Sequence, residues 1–268
     1  MSSCRSTRAA ALPASLGDVT VAILAGGLGT RLQSAAPGIQ KVMVEVDGRP
    51  FLTRWLDRLD DAGFRNIVLC VGHRAGQVAS LGARYRRLAL HCSFEPEPLG
   101  TAGALRAALP RLDSDPVLVL NGDSFCDVDL GEFLDEHLTR ASDASLVLTR
   151  VENMARFGSV RVGIDGKVEE FVEKQGWNSP GWINAGIYLF SQSILRDLPA
   201  AIPSSLERET LPGLVRQGLF AFPWAGRFID IGTPESLREA TRFFEPAAQT
   251  HRFPSTARGR TLAVDDFA

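Results

Sequence analysis

The stretch VAILAGGLGTRL, residues 21–32, joins an apolar run of β type to a glycine-rich loop that ends in an arginine. Glycines allow backbone N–H groups to approach a polyanion, because no Cβ stands in the way. Arg31 adds a forked, permanently charged donor that suits phosphate, and a lysine follows at Lys41. The stretch predicts a strand followed by a phosphate-binding loop, although a tight strand-to-helix turn with an incidental arginine would look the same.

The spacing of the glycines excludes two common phosphate loops. The dinucleotide pattern G-x-G-x-x-G fails because its sixth position, counted from Gly27, is Leu32. The P-loop pattern fails because Gly-Lys-Ser and Gly-Lys-Thr do not occur in the chain. These mismatches argue against a nucleotide-dependent oxidoreductase and against a P-loop enzyme.

The composition narrows the class of protein. A length of 268 residues with 45% apolar residues suffices for one large α/β domain or two small ones. The net charge of −2 argues against a nucleic-acid partner. No apolar run approaches the roughly 18 residues of a membrane span, so we expect no membrane partner. Four scattered cysteines without metal-ligand spacing favour a reducing, cytoplasmic setting.

Strand-like and helix-like runs alternate in the first half of the chain, which predicts a mostly parallel sheet with helices on both faces. The second half adds strands around an Asp165-Gly166 hairpin turn, which predicts antiparallel neighbours. The strand-like runs are Val19–Ala25, Asn66–Val71, Leu88–Phe94, Val117–Leu120, Ala144–Arg150, Ser159–Val162, Lys167–Val172 and Trp182–Phe190. The helix-like runs are Pro50–Ala62, Arg74–Leu81, Thr101–Leu109, Ser191–Leu198, Leu206–Gln217 and Pro234–Phe244.

These runs predict a single α/β domain with a Rossmann-like, mixed and mostly parallel sheet flanked by helices. We expect this domain to span residues 18–248. Residues 1–17 are expected to form a flexible N-terminal tail, and residues 249–268 a C-terminal extension.

Further motifs follow the glycine loop along the chain. They are KVM at 41–43, EPEPLGTAGA at 95–104, NGD at 121–123, FVEK at 171–174, INAGI at 183–187 and FIDIGTP at 228–234. Taken in this order, they resemble the sugar-1-phosphate nucleotidylyltransferases, from about Val19 to Glu245. One departure is Gln40-Lys41-Val42-Met43, where much of the family has Pro-Lys-Pro-Met.

The resemblance implies a nucleotide site at the glycine loop. Arg31 would lie along the β- and γ-phosphates, and Lys41 would neutralise charge at the α-phosphate. From the residues alone, Thr101 is equally typical of an ordinary helix cap. The implied nucleotide-binding residues are Leu24, Ala25, Gly26, Gly27, Gly29, Thr30, Glu95, Gly100, Thr101 and Ala102.

The resemblance also implies a Mg²⁺ site and a sugar-phosphate site. Asp123 and Asp230 would hold Mg²⁺, which usually takes one or two carboxylates together with phosphates and water. From the residues alone, an aspartate after a strand is also typical of a simple turn. Glu173-Lys174 is likewise typical of a solvated ion pair at the end of a strand. The implied sugar-phosphate residues are Gly122, Glu173, Lys174, Asn184 and Gly186.

The implied reaction transfers a nucleoside monophosphate from a nucleoside triphosphate to a sugar 1-phosphate and releases pyrophosphate. Arg31, Lys41 and Asp123 are the implied catalytic residues. Because the attacking phosphate is already an oxyanion, positioning and charge neutralisation would suffice. Small-molecule substrates are the expected partners, and a homo-oligomer is possible.

Within the family, three segments are most similar to the D-glycero-α-D-manno-heptose 1-phosphate guanylyltransferases: GGLGTRL, RPFL at 49–52 and DIGTPE at 230–235. GTP is therefore the expected donor. Transferases for mannose 1-phosphate or N-acetylmuramate 1-phosphate, and uridylyl- or thymidylyltransferases, are alternatives. A non-catalytic nucleotide-sugar-binding paralogue is another, but we expect such a protein to lose at least one of Arg31, Lys41, Asp123 and Asp230, and all four are present.

Overall fold

The structure is a computed structural model. It describes residues 13–245 except positions 28, 30, 31, 33–36, 73, 74, 174, 175, 177 and 201. The strands are β1 (Thr20–Leu24), β2 (Glu45–Val46), β3 (Arg49–Pro50), β4 (Asn66–Val71), β5 (Ala89–Phe94), β6 (Val117–Asn121), β7 (Ser124–Cys126), β8 (Ala144–Val151), β9 (Gly158–Val162), β10 (Val168–Glu173), β11 (Gly181–Phe190), β12 (Phe220–Trp224) and β13 (Phe228–Asp230).

The α-helices are α1 (Leu52–Ala62), α2 (Ala75–Ala79), α3 (Gly100–Ala108), α4 (Leu130–Thr139), α5 (Gln192–Arg196), α6 (Leu211–Val215) and α7 (Pro234–Phe244). A π-helical turn, Leu206–Thr210, directly precedes α6. Short 3₁₀ turns occur at Leu16–Asp18, Lys41–Met43, Ser80–Ala83 and Leu109–Arg111.

A nine-stranded mixed sheet forms the centre of the molecule. Its main path runs β10-β9-β11-β6-β1-β4-β5, and β8 and β12 extend it beside β11. The strands β6, β1, β4 and β5 are mutually parallel, whereas β11 is antiparallel to both β6 and β8. The predicted fold is confirmed: a parallel first half is joined to a second half with antiparallel pairs.

The core lies on both faces of the sheet. Val21 and Ile23 belong to one buried cluster, which includes residues of α1, and Ala22 belongs to the other, which includes residues of α3. Successive side chains of a strand point to opposite faces, so β1 is buried on both sides, as is typical of a parallel strand. The carboxyl ends of β1, β4 and β6 consequently lie at one edge of the sheet, where an open α/β sheet binds its ligands.

Several boundaries differ from the prediction. Pro50 pairs in β3 instead of starting the first helix, which begins at Leu52. The predicted helix over 206–217 is divided into the π-helical turn and α6. Leu16 packs against the core, so the ordered domain begins before residue 18. The predicted C-terminal extension, 249–268, lies outside the described residues.

Six elements have no counterpart among the predicted runs: α4, β2, β3, β7, β12 and β13. Within the described part of the chain, the helices are too short or too polar to cross a bilayer. Cys70, Cys92 and Cys126 are free thiols, and Cys70 and Cys126 are buried.

Candidate active site

A cavity of about 620 Å³ lies at the carboxyl edge of the parallel strands and extends to β10, β11 and β13. It brings together most of the predicted site residues, although they are distributed over more than two hundred positions of the chain. Thr30, Arg31 and Lys174 lie outside the described residues. The predicted residues that line the cavity are Leu24, Ala25, Gly26, Gly27, Gly29, Lys41, Glu95, Gly100, Thr101, Asp123, Glu173, Asn184, Gly186 and Asp230.

One region of the cavity, which we call the base end after the predicted nucleotide site, is formed around Glu95. This residue directly follows β5, and its N–H donates to the Val71 carbonyl at 2.8 Å. Its side chain is only 5% exposed. Oε2 accepts a long bond of 3.4 Å from the Leu99 N–H, whereas Oε1 has no hydrogen-bond partner among the described residues. Burial raises the pKa of Glu95, and the Leu99 N–H opposes that rise.

Gly26 allows the Glu95 carboxylate to occupy this position. A Cβ at residue 26 would lie 2.5 Å from Oε1 of Glu95, which is closer than real Cβ contacts. The same loop is anchored by the side-chain amide of the buried Gln40, which donates to the Ala25 carbonyl. The absence of a Cβ at Gly26 therefore leaves space for the Glu95 carboxylate, in addition to leaving the backbone of the loop accessible.

The start of α3 is joined to the π-helical turn. Thr101 Oγ1 donates to Oε2 of Glu207 and accepts from the Leu206 N–H, both at 2.8 Å. The residue at the N-cap position of α3 is Leu99, without a side-chain cap, so the alternative of Thr101 as a helix cap is wrong. Glu207 lines the cavity. Its segment, Ser205-Leu206-Glu207-Arg208-Glu209, resembles a family segment, S-L-E-x-E, for which the sequence left a substrate role and a charged first helical turn equally open.

Lys41 and Asp123 form an ion pair in a second region of the cavity, which we call the metal end after the predicted Mg²⁺ site. Lys41 lies in a single 3₁₀ turn, and its Nζ is 2.5 Å from Oδ2 of Asp123. Gly29 has a φ of +57°, and a Cβ there would be 3.0 Å from the Lys41 Cβ. The left-handed backbone of this glycine therefore leaves the space that the stem of Lys41 occupies.

Asp230 reaches the same end from the far part of the chain. β13 pairs with β7 so that Asp230 lies opposite Ser124, and the Ile231 N–H donates to the Asp123 carbonyl at 2.9 Å. Asp123, in the turn directly before β7, and Asp230, at the end of β13, thus lie on adjacent segments of backbone, and both line the cavity. This juxtaposition was the main requirement of the predicted Mg²⁺ site.

Arg156 neutralises Asp230. Its Nη2 donates to Oδ1 and Oδ2 of Asp230 at 2.9 and 2.7 Å, and the Gly232 N–H donates to Oδ2 at 2.7 Å. Burial raises the pKa of Asp230, and so does the charge of Asp123; Arg156, the Gly232 N–H and Lys41 oppose the rise. The position of Arg156 before Phe157-Gly158 suggested from the sequence that it faces the sugar, but nothing in the sequence indicated its ion pair with Asp230.

The residues at the metal end fit a divalent cation. Asp123 and Asp230 offer hard carboxylate oxygens, and each is paired with a basic side chain, so the site accommodates positive charge. Among the described residues, no group of three or more His, Cys, Asp or Glu could hold a metal. Two carboxylates would leave the other positions to phosphates and water, which is the usual arrangement for Mg²⁺.

The predicted sugar residues lie on β10 and β11. Asn184 Nδ2 donates to the hydroxyl of the buried Tyr188 at 2.7 Å, and its Oδ1 accepts from the Gly186 N–H at 2.9 Å. The pairing of β11 with β8 shifts register between Asn184 and Tyr188. Gly186 has a φ of +75°, and a Cβ there would collide with Asn121. Such irregularities often turn a side chain towards a site.

Two predicted contacts differ from the structure. Ala102, a residue of α3, is completely buried in the core, and Gly122 is buried beside the end of β1, where its N–H donates to the Leu24 carbonyl at 2.9 Å. Neither residue lines the cavity. Both are small because the backbone packs closely there. A Cβ at Gly122 would be 2.8 Å from the Leu24 carbonyl oxygen.

The family model described as Nucleotidyl transferase matches residues 20–246. The chain belongs to the nucleotidyl transferase family. It is 32% identical over 222 residues to a D-glycero-α-D-manno-heptose 1-phosphate guanylyltransferase of Aneurinibacillus thermoaerophilus, with 82% of this chain and 96% of that protein covered. It is 36% identical over 221 residues to the catalytic subunit beta of a mannose-1-phosphate guanylyltransferase of Drosophila melanogaster, with 80% of this chain covered.

The chain spans about 60% of the length of the mannose-1-phosphate guanylyltransferases that it matches. Among solved structures, it is similar to HddC from Yersinia pseudotuberculosis, with a TM-score of 0.75 and 35% identity; 85% of this chain and 100% of that chain are covered. The same protein complexed with GMP-PN gives a TM-score of 0.74, 34% identity and the same coverage. These matches confirm the predicted family and fold.

Proposed function

We propose that this protein transfers GMP from GTP to a sugar 1-phosphate and releases pyrophosphate. The family membership supports nucleotidyl transfer, and relatives that carry guanylyltransferase names support GTP. The observation that carries the choice of base is the buried carboxylate of Glu95, a residue that lines the cavity and whose Oε1 has no hydrogen-bond partner among the described residues.

Guanine is the nucleobase whose donors suit this carboxylate. An ionised carboxylate only accepts hydrogen bonds, and guanine presents two adjacent donors, the N1–H and the 2-amino group. Uracil and thymine present a single N3–H between two carbonyl oxygens, which a carboxylate repels. Cytosine and adenine present a ring nitrogen acceptor beside their amino group. A buried acceptor without a partner is costly, so pairing with guanine would offset a cost that the free protein bears.

The chemical step that we propose is an in-line displacement at the α-phosphorus of GTP. An oxygen of the sugar phosphate forms the new P–O bond, the bond to the bridging oxygen of the β-phosphate breaks, and pyrophosphate leaves with the electron pair. Lys41 would leave its ion pair with Asp123 and bind an oxygen of the α-phosphate, where it would neutralise charge. Arg31 would bind the departing pyrophosphate. No proton has to be removed from the attacking phosphate.

Asp123 and Asp230 would hold a Mg²⁺ ion, which supplies charge neutralisation for the triphosphate. Thr101 and Glu207 would fix the wall of the nucleotide site, since their hydrogen bond joins α3 to the π-helical turn. Glu173, Lys174, Asn184 and Gly186 would bind the sugar phosphate. The polar atoms of Asn184 are already held by Tyr188 and Gly186, so its contribution would be to position the β11 backbone as well as to contact the sugar.

For the sugar, D-glycero-α-D-manno-heptose 1-phosphate is our first choice. The relative with this name is covered almost completely by the chain, at 96%. Mannose 1-phosphate is the second candidate, because relatives with that name match at 36% identity. N-acetylmuramate 1-phosphate and the uridylyl and thymidylyl donors are weaker alternatives, as is a non-catalytic nucleotide-sugar-binding protein.

A pyrophosphate-release screen tests the proposal. Five nucleoside triphosphates are combined with a panel of sugar 1-phosphates, with and without Mg²⁺. We expect turnover with GTP and one of the two manno-configured sugar phosphates, and only with Mg²⁺ present. Faster turnover with another nucleotide would overturn the assignment of the base. If every combination is inactive while GTP still binds in calorimetry, the non-catalytic alternative is correct.

A further inference from the structure

We propose that Arg156 closes the metal site of the free protein: it occupies Asp230 until a metal-loaded nucleotide displaces it. The inference rests on the proposed function, since it assigns Asp230 to the metal. Arg156 would be a positioning residue, because it acts on the metal through Asp230. Its consequence is an order of binding, in which the divalent ion enters together with the triphosphate and not alone.

The contacts of Arg156 leave no carboxylate oxygen of Asp230 unpaired. A single nitrogen, Nη2, donates to both oxygens, and Oδ2 also accepts from the Gly232 N–H. These are the oxygens that a metal ion would need. Because charge-assisted hydrogen bonds are stronger than neutral ones, a free divalent cation has to compete with a pair that is already formed.

The two ion pairs of the metal end differ in solvent access. The side chain of Asp230 is 18% exposed, whereas that of Asp123 is 41% exposed. Arg156 itself is 42% exposed and lines the cavity, and its guanidinium is 5.5 Å from the Phe157 ring centroid. Arg156 is thus the more accessible partner of a largely buried carboxylate, and it has room to leave.

A nucleoside triphosphate supplies a new acceptor for the guanidinium of Arg156 once the metal ion has displaced it from Asp230. When the ion binds Asp230, the guanidinium loses its counter-charge while still inside a cavity that it lines. Phosphate oxygens are strong acceptors for arginine, so a triphosphate or a sugar phosphate in the cavity would take it up. A metal ion that arrives alone provides no such acceptor, and the exchange is then unfavourable.

Binding of Mn²⁺ alone, followed by electron paramagnetic resonance without nucleotide, tests the proposal. Mn²⁺ shares the octahedral oxygen chemistry of Mg²⁺. The experiment compares the full chain with Arg156→Met, Arg156→Lys and the control Arg161→Met, whose side chain pairs with Glu169 and Glu170 on β10. Arg156→Met should bind Mn²⁺ about tenfold more tightly, the size expected when one competing charge-assisted bond is removed. Arg156→Lys should lie between it and the parent, and Arg161→Met should match the parent.

A double variant identifies the ligand. The gain in Mn²⁺ affinity should vanish in Arg156→Met combined with Asp230→Asn, since the freed carboxylate is then absent. A merely structural role of Arg156 would lower the affinity or leave it unchanged, and either result would overturn the proposal. Persistence of the gain in the double variant would do the same. A melting curve of Arg156→Lys guards against loss of the fold.

The failure of this proposal can be told apart from failure of the proposed function. Equal Mn²⁺ affinities in the parent and Arg156→Met refute the closed metal site, whatever the turnover. Absence of pyrophosphate release in the screen refutes the transferase, whatever the Mn²⁺ affinity.

Discussion

The base end and the metal end of the cavity differ in whether their carboxylates already have partners. At the base end, Glu95 is buried and its Oε1 has no partner among the described residues. At the metal end, Asp123 is paired with Lys41 and Asp230 with Arg156. A ligand at the base end therefore adds hydrogen bonds that the free protein lacks, whereas a ligand at the metal end has to exchange partners that already exist. Selection of the base and organisation of the phosphates would then follow separate physical rules.

The largest effect should come from the metal end. Lys41→Met is expected to lower kcat with GTP by about 100- to 1000-fold, as for loss of one positioned charge at a developing anion. Its melting temperature should change little, because a partly exposed ion pair contributes less than about 1 kcal/mol. The matched control is Lys167→Met, an exposed lysine that pairs with Asp165 at 3.6 Å. Equal kcat values for the two variants would show that Lys41 does not act in the reaction.

The base end should respond in a way that depends on the nucleotide. Glu95→Gln is expected to lower kcat/KM for GTP by about 100-fold, because a hydrogen bond to a charged acceptor is lost. Glu97→Gln makes the same chemical change on an exposed residue of the same loop and should leave kcat/KM unchanged. Steady-state kinetics of the two variants provide the measurement. A similar loss in both would show that the loop, and not the buried carboxylate, binds the base.

A smaller effect should come from Gly26, which leaves space for the Glu95 carboxylate. Gly26→Ala places a Cβ 2.5 Å from the Glu95 carboxylate, so that carboxylate has to shift. We expect KM for GTP to rise about tenfold with a smaller change in kcat, the cost of one weakened hydrogen bond. The control is Gly213→Ala in α6, where the added Cβ meets no neighbour within 4 Å. An unchanged KM in Gly26→Ala would show that this glycine does not affect GTP binding through Glu95.

The smallest effect is one of stability. Burial raises the pKa of Glu95, so its charged form destabilises the folded state. Its favourable contribution is present at low pH and is lost as pH rises through the raised pKa. Glu95→Gln should therefore melt a few °C above the parent at pH 7–8, and the difference should shrink below the ordinary glutamate pKa of about 4.3. Thermal melts across this range are the measurement, and a lower melting temperature at pH 8 would contradict it.

The regular first half of the fold could be predicted because its signals are local. An apolar β-type run followed by glycines predicts β1 and its loop, and α7 begins at Pro234 and ends at Phe244, as its spacing indicates. The C-terminal end of α1 at Ala62 is fixed by Gly63, whose φ is +101°. The short strands β7 and β13 have only three residues each, too few for a periodic signal, and they became visible only in the structure.

The composition of the site was predictable from motifs, but its internal pairing was not. Asp123 and Asp230 could be named in advance, whereas the ion pair of Asp230 with Arg156 depends on a fold that brings residues 74 positions apart into contact. The same is true of Thr101 and Glu207, which are 106 positions apart. The burial of Glu95 against Gly26 likewise depends on the order of the strands β1, β4 and β5, which local periodicity does not encode.

The most direct test of the central claim compares GTP with ITP, which lacks the 2-amino group, in the parent protein and in Glu95→Gln. The account predicts that kcat/KM of the parent favours GTP over ITP by about tenfold or more, the value of one hydrogen bond to a buried charge. In Glu95→Gln the preference should fall towards one, because the amide offers only one acceptor oxygen, for the N1–H, and its NH₂ group cannot accept from the 2-amino group of guanine. The same GTP-to-ITP ratio in both proteins would contradict the recognition of guanine by Glu95.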